Sequence, residues 1–149
     1  EEDFLTIDNL DLSFVIDEIK KHEPTELIIN QANNTMLCLI KSYDKSKKSE
    51  FIESARNLLD WISLYPSYLD ADCNSINKLQ IILRERKLDY KEKAVLYKII
   101  ENTTDNIIAF GALLLLGETK EAKGLYQDLS DEEKIWIQDL PIYHFFKAF

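Results

Sequence analysis

Histidine and cysteine, the side chains that most readily act as bases or nucleophiles near neutral pH, are scarce in this chain. The sequence contains two of each, at His22, His144, Cys38 and Cys73. His22 lies near the C-terminus of the first predicted helix, which ends after Glu23, and a histidine there interacts favourably with the helix dipole. His144 lies between two aromatic residues, and no pattern in the sequence pairs a histidine with a cysteine. We therefore expect structural roles for both histidines and two reduced thiols rather than a disulfide.

The acidic stretch around Asp70 is the nearest approach to a metal-binding motif. Asp70, Asp72 and Asn74 have the alternating spacing that begins a calcium loop. The glycine required at the sixth position is Ser75, and the glutamate required at the twelfth is Ile81. We therefore reject calcium and expect these oxygens to form a turn and cap the fourth helix. A helical hydrolase that uses the two aspartates is retained only as a minor alternative.

Other cofactor motifs are also missing from the sequence. There is no C-x-x-C or H-x-x-x-H pair to suggest zinc, and three isolated glycines cannot form a phosphate-binding loop. We therefore predict that the protein has no metal, no cofactor and no catalytic residue.

Length and composition predict a single all-α domain over residues 1–149. A chain of this length can bury one core and is short for two ordinary domains. Only 3 glycines and 3 prolines are present, which leaves little room for a turn-rich β-sandwich or barrel. The net charge of −9 argues against a general nucleic-acid binder, because phosphates attract lysine and arginine.

The N-terminal segment and the longest apolar run indicate in which cellular compartment the protein is expected. The first ten residues are acidic, unlike a signal peptide, and the missing initiator methionine suggests a longer protein trimmed at its N-terminus. The longest apolar run, residues 107–116, is much shorter than the roughly 20 residues that span a bilayer. We therefore predict a cytoplasmic protein that does not associate with membranes.

Apolar residues recur at helical spacing through nearly the whole chain, which predicts about eight helices in antiparallel hairpins. The run at residues 107–116 lacks a polar face, so we expect it at the centre of the fold. Polar loops are expected over residues 44–49 and 67–73. The predicted helix starts and breaks are Thr25, Ser49, Thr103 or Thr104, the capping boxes Asp89/Glu92 and Ser130/Glu133, and Pro24, Pro66, Gly117 and Pro141.

One segment, residues 113–129, resembles the middle of a tetratricopeptide repeat. Gly117, Ala122 and Tyr126 match the turn glycine, the small crossing residue and the groove-filling aromatic of that family. Aliphatic residues replace the tryptophan and tyrosine usual in the first helix, and no second copy follows at a 34-residue period. The resemblance implies a stack of helical hairpins that binds protein segments on a concave face. An irregular helical bundle remains equally open.

Charge is distributed unevenly along the sequence. Residues 1–50 and 101–149 each carry a net charge of −5, whereas residues 51–100 carry +1. Within the middle third, residues 78–98 carry +4, and we predict a secondary basic strip at Arg84, Arg86, Lys87 and Lys91. These charges can simply solvate outer helix faces, or they can hold an acidic segment or another subunit.

Two further patches are candidates for partner binding. Asn30 and Asn34 share a helix face and carry amides that can read the backbone of a peptide. In the C-terminal third, the predicted partner-binding residues are Asp131, Glu132, Trp136, Asp139 and Tyr143. The competing interpretation is that the amides are solvated and that the terminal aromatic residues, including Phe149, pack back onto the core.

These observations favour a non-catalytic, acidic interaction module that binds another protein, expected to be basic. The specific hypothesis is an immunity or antitoxin protein that neutralises a basic toxin, which accounts for the length, the charge and the absence of chemical motifs together. The alternative is an accessory or scaffold domain of a larger defence or regulatory protein. Nucleic acid is not expected as a partner, and association into homo-oligomers is left open.

Overall fold

The structure, a computed structural model, describes residues 12–147, and the acidic opening segment and Phe149 lie outside that range. The described residues form helices and no strands, which confirms the all-α prediction. The helices are α1 (Leu12–Lys21), α2 (Glu26–Ser46), α3 (Ser49–Ile62), a 3-10 turn (Pro66–Tyr68), α4 (Ala71–Leu83), α5 (Tyr90–Asn102), α6 (Asn106–Leu116), α7 (Thr119–Asp128), α8 (Asp131–Asp139) and α9 (Tyr143–Lys147).

Contacts divide the chain into two compact units, and the division falls within α4 between Asn74 and Ser75. In the first unit, α2 packs along α3, and α3 also packs against α1. Its long helix α2 begins at Thr25, whose hydroxyl accepts a hydrogen bond from the amide of Ile28 as predicted. The fully buried aliphatic and aromatic side chains of this unit include Ile29, Met36, Leu39, Ile40, Phe51, Leu58 and Ile62.

The second unit is organised around α6, as its apolar sequence predicts. Helix α6 packs against α5, α7 and α9, and Phe110 and Ala112 are completely buried. Gly111 faces α4 and the segment before α9, because an added Cβ would lie 3.6 Å from Ile76 and Ile142. Of the terminal aromatic residues, Phe146 packs back onto the core, since its ring centre lies 5.2 Å from that of Phe110.

The hairpin between α6 and α7 contains the three residues that resemble a tetratricopeptide repeat. Gly117 adopts a left-handed conformation with φ of 77°, and its amide and that of Glu118 donate to the carbonyls of Leu114 and Leu113. Ala122 is fully buried, and the ring centre of Tyr126 lies 5.6 Å from that of Phe110. These residues therefore form a tight helical hairpin, while membership of a repeat family stays a prediction.

Several predicted helix boundaries were right and others were wrong. Both capping boxes form as predicted, at Asp89 and at Ser130. Ser49 does not cap α3, because α2 continues to Ser46 and only Lys47 and Lys48 separate the two helices. The loop expected over residues 44–49 is therefore mostly helix.

Two more local predictions need correction. Helix α6 is capped by Asp105 rather than by Thr103 or Thr104, and the Asp105 carboxylate accepts from the amide of Ile107 at 2.9 Å. The loop expected over residues 67–73 is shortened by the 3-10 turn and by the early start of α4. There Asp70 performs the predicted capping role, accepting from the amide of Cys73 at 2.9 Å.

Candidate functional site

Helix α8 is held to the second unit by one side and exposes the other. Its first turn is fixed by the capping box, in which Ser130 accepts from the amide of Glu133 at 3.1 Å and Glu133 accepts from that of Ser130 at 2.9 Å. Ile137 is completely buried in the apolar cluster of the unit. On the same side, Gln138 donates to the Tyr126 hydroxyl at 3.0 Å and the Lys134 ammonium lies 5.7 Å from the centre of that ring. This side therefore anchors the helix, and the opposite side faces outwards.

The outer surface of α8 combines two large apolar side chains with carboxylates. Ile135 is 66% exposed and Trp136 is 60% exposed. Asp131, Glu132 and Asp139 are exposed as well. Because residues three and four apart are neighbours on a helix, these acids flank the apolar pair at both ends of one face. We call these five residues the α8 face.

Tyr143 takes a different position from the other predicted binding residues. The centre of its ring lies 5.6 Å from the ring centre of Phe146 and 6.5 Å from that of Tyr126, within the aromatic cluster that attaches α9 to the unit. Burial raises the pKa of the Tyr143 phenol, and the neighbouring Tyr126 adds to the shift. The side chain is half-buried, so packing accounts for most of its surface.

Side-chain contacts divide the predicted basic strip into two kinds of residue. Arg84 is engaged inside the unit, where it donates to the carbonyls of Gln80 and Pro141 at 3.0 Å. Arg86 forms a bidentate ion pair with Glu92 at 2.9 and 2.7 Å. Lys87 and Lys91 remain exposed. Lysine, and not arginine, therefore provides the accessible positive charge in this region.

An open apolar cleft of about 480 Å³ lies beside Lys87. Its lining is mainly aliphatic, with two lysines and one aromatic ring, and consists of Leu83, Lys87, Leu88, Lys93, Leu114, Leu115, Leu116, Gly117 and Phe145. We call this feature the lysine cleft. Sequence reasoning missed it, although Lys93 belongs to the basic stretch and Gly117 marks the turn at its edge. The sequence pattern does not indicate that the segments around Lys93 and Gly117 line one cleft.

Asn30 and Asn34 lie on α2 in the first unit, and both are exposed. Between them, Asn33 is half-buried, and its side-chain oxygen has no hydrogen-bond partner among the described residues. Two accessible amides can donate and accept hydrogen bonds, but α2 presents no exposed aromatic anchor beside them.

The residues with catalytic potential stay apart within the described part of the chain. No three histidine, cysteine or acidic side chains group there as metal ligands. Cys38 is half-buried, Cys73 is exposed, and no disulfide joins them. The His144 ring packs edge-on against Phe145, with 5.3 Å between ring centres.

Comparison with known proteins adds no family assignment. No protein-family model, curated protein or solved structure matches the chain. Among the helices over residues 12–147, none combines the length and the apolar character needed to cross a membrane.

Proposed function

We propose that the chain is a non-catalytic protein-interaction module and that the α8 face binds a basic partner protein. The observation that carries this proposal is the exposure of Trp136 beside Ile135 on a helix bordered by three carboxylates. Tryptophan is enriched among the residues that dominate binding energy, and a ring of charge around an apolar centre is typical of interfaces.

The charge of the chain supports a basic partner in particular. With a net charge of −9, the protein attracts positively charged molecules over distances of about one Debye length, roughly 8–10 Å in physiological salt. Attraction of that kind increases the association rate, whereas the buried apolar contact determines how long the complex lasts. An immunity or antitoxin protein that neutralises a basic toxin in the cytoplasm would use both the electrostatic attraction and the buried apolar contact. We propose that role for this chain.

The hairpin of α6 and α7 suggests a second form of the proposed protein-binding function. If the match at Gly117, Ala122 and Tyr126 reflects a tetratricopeptide-like unit, the module is an accessory scaffold of a larger protein. The binding face on α8 is common to both versions, so the first experiment tests them together.

The test is affinity capture with the wild-type chain and with the double variant Trp136→Ala/Asp139→Lys. Replacing Asp139 by lysine places a positive charge in the last turn of α8, where the helix dipole favours it, so the variant is expected to fold. Glu101→Lys, in the last turn of α5, is a control with the same change of charge away from the α8 face.

We expect the wild type and the Glu101→Lys control to capture a basic protein at low salt, and the double variant to lose it. Binding should also weaken at high salt, because the charges of the α8 face are exposed. Capture that survives in the double variant would exclude α8 as the interface.

The immunity role is tested with the captured protein itself. If it is a toxin, its activity should be inhibited by the wild type and restored when the double variant replaces it. The hydrolase alternative would instead be supported by metal-dependent turnover that Asp70→Asn abolishes.

A further inference from the structure

The second unit carries two surfaces with matching apolar character and opposite charge. The α8 face presents Ile135 and Trp136 between carboxylates. The lysine cleft presents aliphatic walls and the Phe145 ring beside Lys87 and Lys93. An isolated apolar groove does not identify its ligand, but here the same chain contains a helix with the complementary composition.

We propose that the lysine cleft receives the α8 face of a second copy of this chain. In this contact, the Trp136 side chain of one copy enters the cleft of the other, and Lys87 and Lys93 lie opposite the acidic border of α8. The inference rests on the proposed function in one respect, because both require the α8 face to be a binding surface.

The two lysines are suited to this role because both are exposed and lack an ion-pair partner among residues 12–147. Among the residues that the structure describes, no carboxylate forms an ion pair with Lys87 or Lys93. Both side chains are exposed. By contrast, Arg86 in the same region is already neutralised by Glu92. The positive charge beside the cleft is therefore available to an external acidic group.

The size of the cleft agrees with a short helical ligand. Volumes of about 300–1,000 Å³ are usual for pockets that enclose most of a small ligand, so 480 Å³ suits one or two large side chains rather than a whole protein surface. The nine residues of α8 extend for about 13 Å, a length that can place its central apolar pair over one opening.

The contact is expected to be weak. The contact involves only one short helix and one open cleft, and two chains of net charge −9 repel each other at long range. We therefore expect dissociation constants in the range of about 1 μM to 1 mM. Salt weakens both the local attraction and the general repulsion, so the test relies on variants instead of salt.

Self-association would regulate partner binding, because both contacts use the same residues. Each α8 face buried in another copy is unavailable to the basic partner. A high concentration of the chain should therefore lower its apparent affinity for that partner, and a tight partner should dissociate the self-complex.

The test is sedimentation equilibrium of the full chain over a concentration series, with one variant for each surface. The face variant is Trp136→Ala/Asp139→Lys, and the cleft variant is Lys87→Glu/Lys93→Glu. Lys93 lies in the first turns of α5, where a glutamate is favourable, so the cleft variant should fold. Lys120→Glu/Lys123→Glu on α7 is the control, since it makes the same change of charge outside the cleft.

We expect concentration-dependent association of the wild type and the control, and a reduction of at least about tenfold in the association constant of each variant alone. The decisive sample is an equimolar mixture of the two variants. One supplies an intact cleft and the other an intact face, so the mixture should form a complex of two chains that neither variant forms by itself.

Wild-type chain that stays monomeric up to about 1 mM, or a mixture that stays monomeric, would overturn the inference. In that event the proposed function would still stand if the face variant lost the basic partner. If instead the face variant kept that partner while the mixture associated, the function proposal would fail and the self-contact would remain.

Discussion

Arg84 donates a hydrogen bond to the backbone carbonyl of Pro141 at 3.0 Å, across 57 residues of sequence. The same guanidinium donates to the carbonyl and side chain of Gln80 and lies 4.7 Å from the ring centre of Phe145. Gln80 is itself buried and donates to Asn77 at 3.0 Å. Arg84 thus fixes the segment that joins α8 to α9.

We expect Arg84→Ala to lower the free energy of unfolding by about 2 kcal/mol, since it removes a charged hydrogen bond from the carbonyl of Pro141, which then accepts from the amide of His144 alone. Lysine should restore little, because it cannot form the planar contacts that arginine makes with Phe145 and two carbonyls. Denaturant unfolding measures both changes.

Arg86→Ala is the matched control, because the Arg86 side chain is 53% exposed and surface ion pairs contribute at most about 1 kcal/mol. An equal loss for both arginines would contradict an interior role for Arg84.

Glycine substitutions should have opposite effects at two positions of the α6–α7 hairpin. Gly117→Ala is expected to destabilise the protein by about 1–2 kcal/mol, because an alanine is strained at a φ of 77°. Gly124→Ala should stabilise it by about 0.5–1 kcal/mol, since Gly124 lies within α7 and an added Cβ meets no atom within 4 Å. Thermal unfolding of both variants checks the pair, and shifts of the same sign would refute the assigned turn geometry.

Two serines that look equivalent in the sequence should respond differently to removal of the hydroxyl. Ser130→Ala is expected to cost about 1 kcal/mol, because the hydroxyl caps α8. Ser49→Ala should change stability by less than about 0.5 kcal/mol, since Ser49 is the first residue of α3 and not its cap. The measurement is the difference in denaturation midpoint, and a substantial loss at Ser49 would show that the helix start is misplaced.

These serines show how far the sequence predicts the fold. Apolar periodicity identified the helices, and the D-x-x-E and S-x-x-E spacings identified both capping boxes, because these features depend on residues within one or two turns of each other. It failed at Ser49 because α2 continues to Ser46 and ends on Lys47 in a left-handed conformation, which is favoured in glycine or asparagine rather than lysine. No residue type near Lys47 indicates in the sequence that α2 ends there.

The candidate site shows the same limit. The acids and Trp136 of the α8 face could be predicted, since the helical repeat places them on one surface, on the side of the helix away from buried Ile137. The engagement of Arg84 and the assembly of the lysine cleft could not, because they join segments that are distant in the sequence. A count of charges treats Arg84 and Lys87 alike, whereas packing half-buries Arg84 and leaves Lys87 exposed.

Acid stability should depend on the ion pair between Glu92 and Arg86. The Arg86 guanidinium, followed by the backbone amide of Asp89, holds the pKa of Glu92 at about 2, below the ordinary value of 4.5. Because the folded-state pKa is lowered, the ionised carboxylate stabilises the folded protein above about pH 4.5. That contribution is lost as the pH falls towards 2. It should be small, since solvent screens the exposed guanidinium.

Glu92→Gln isolates this charge, because glutamine also serves at the third position of a capping box and so preserves the start of α5. Wild type should be the more stable of the two at pH 7, and the difference should shrink between pH 4.5 and pH 2. Chemical denaturation of both proteins across this range gives the difference at each pH. A constant difference would mean that the carboxylate acts only through the capping hydrogen bonds and that its charge contributes nothing.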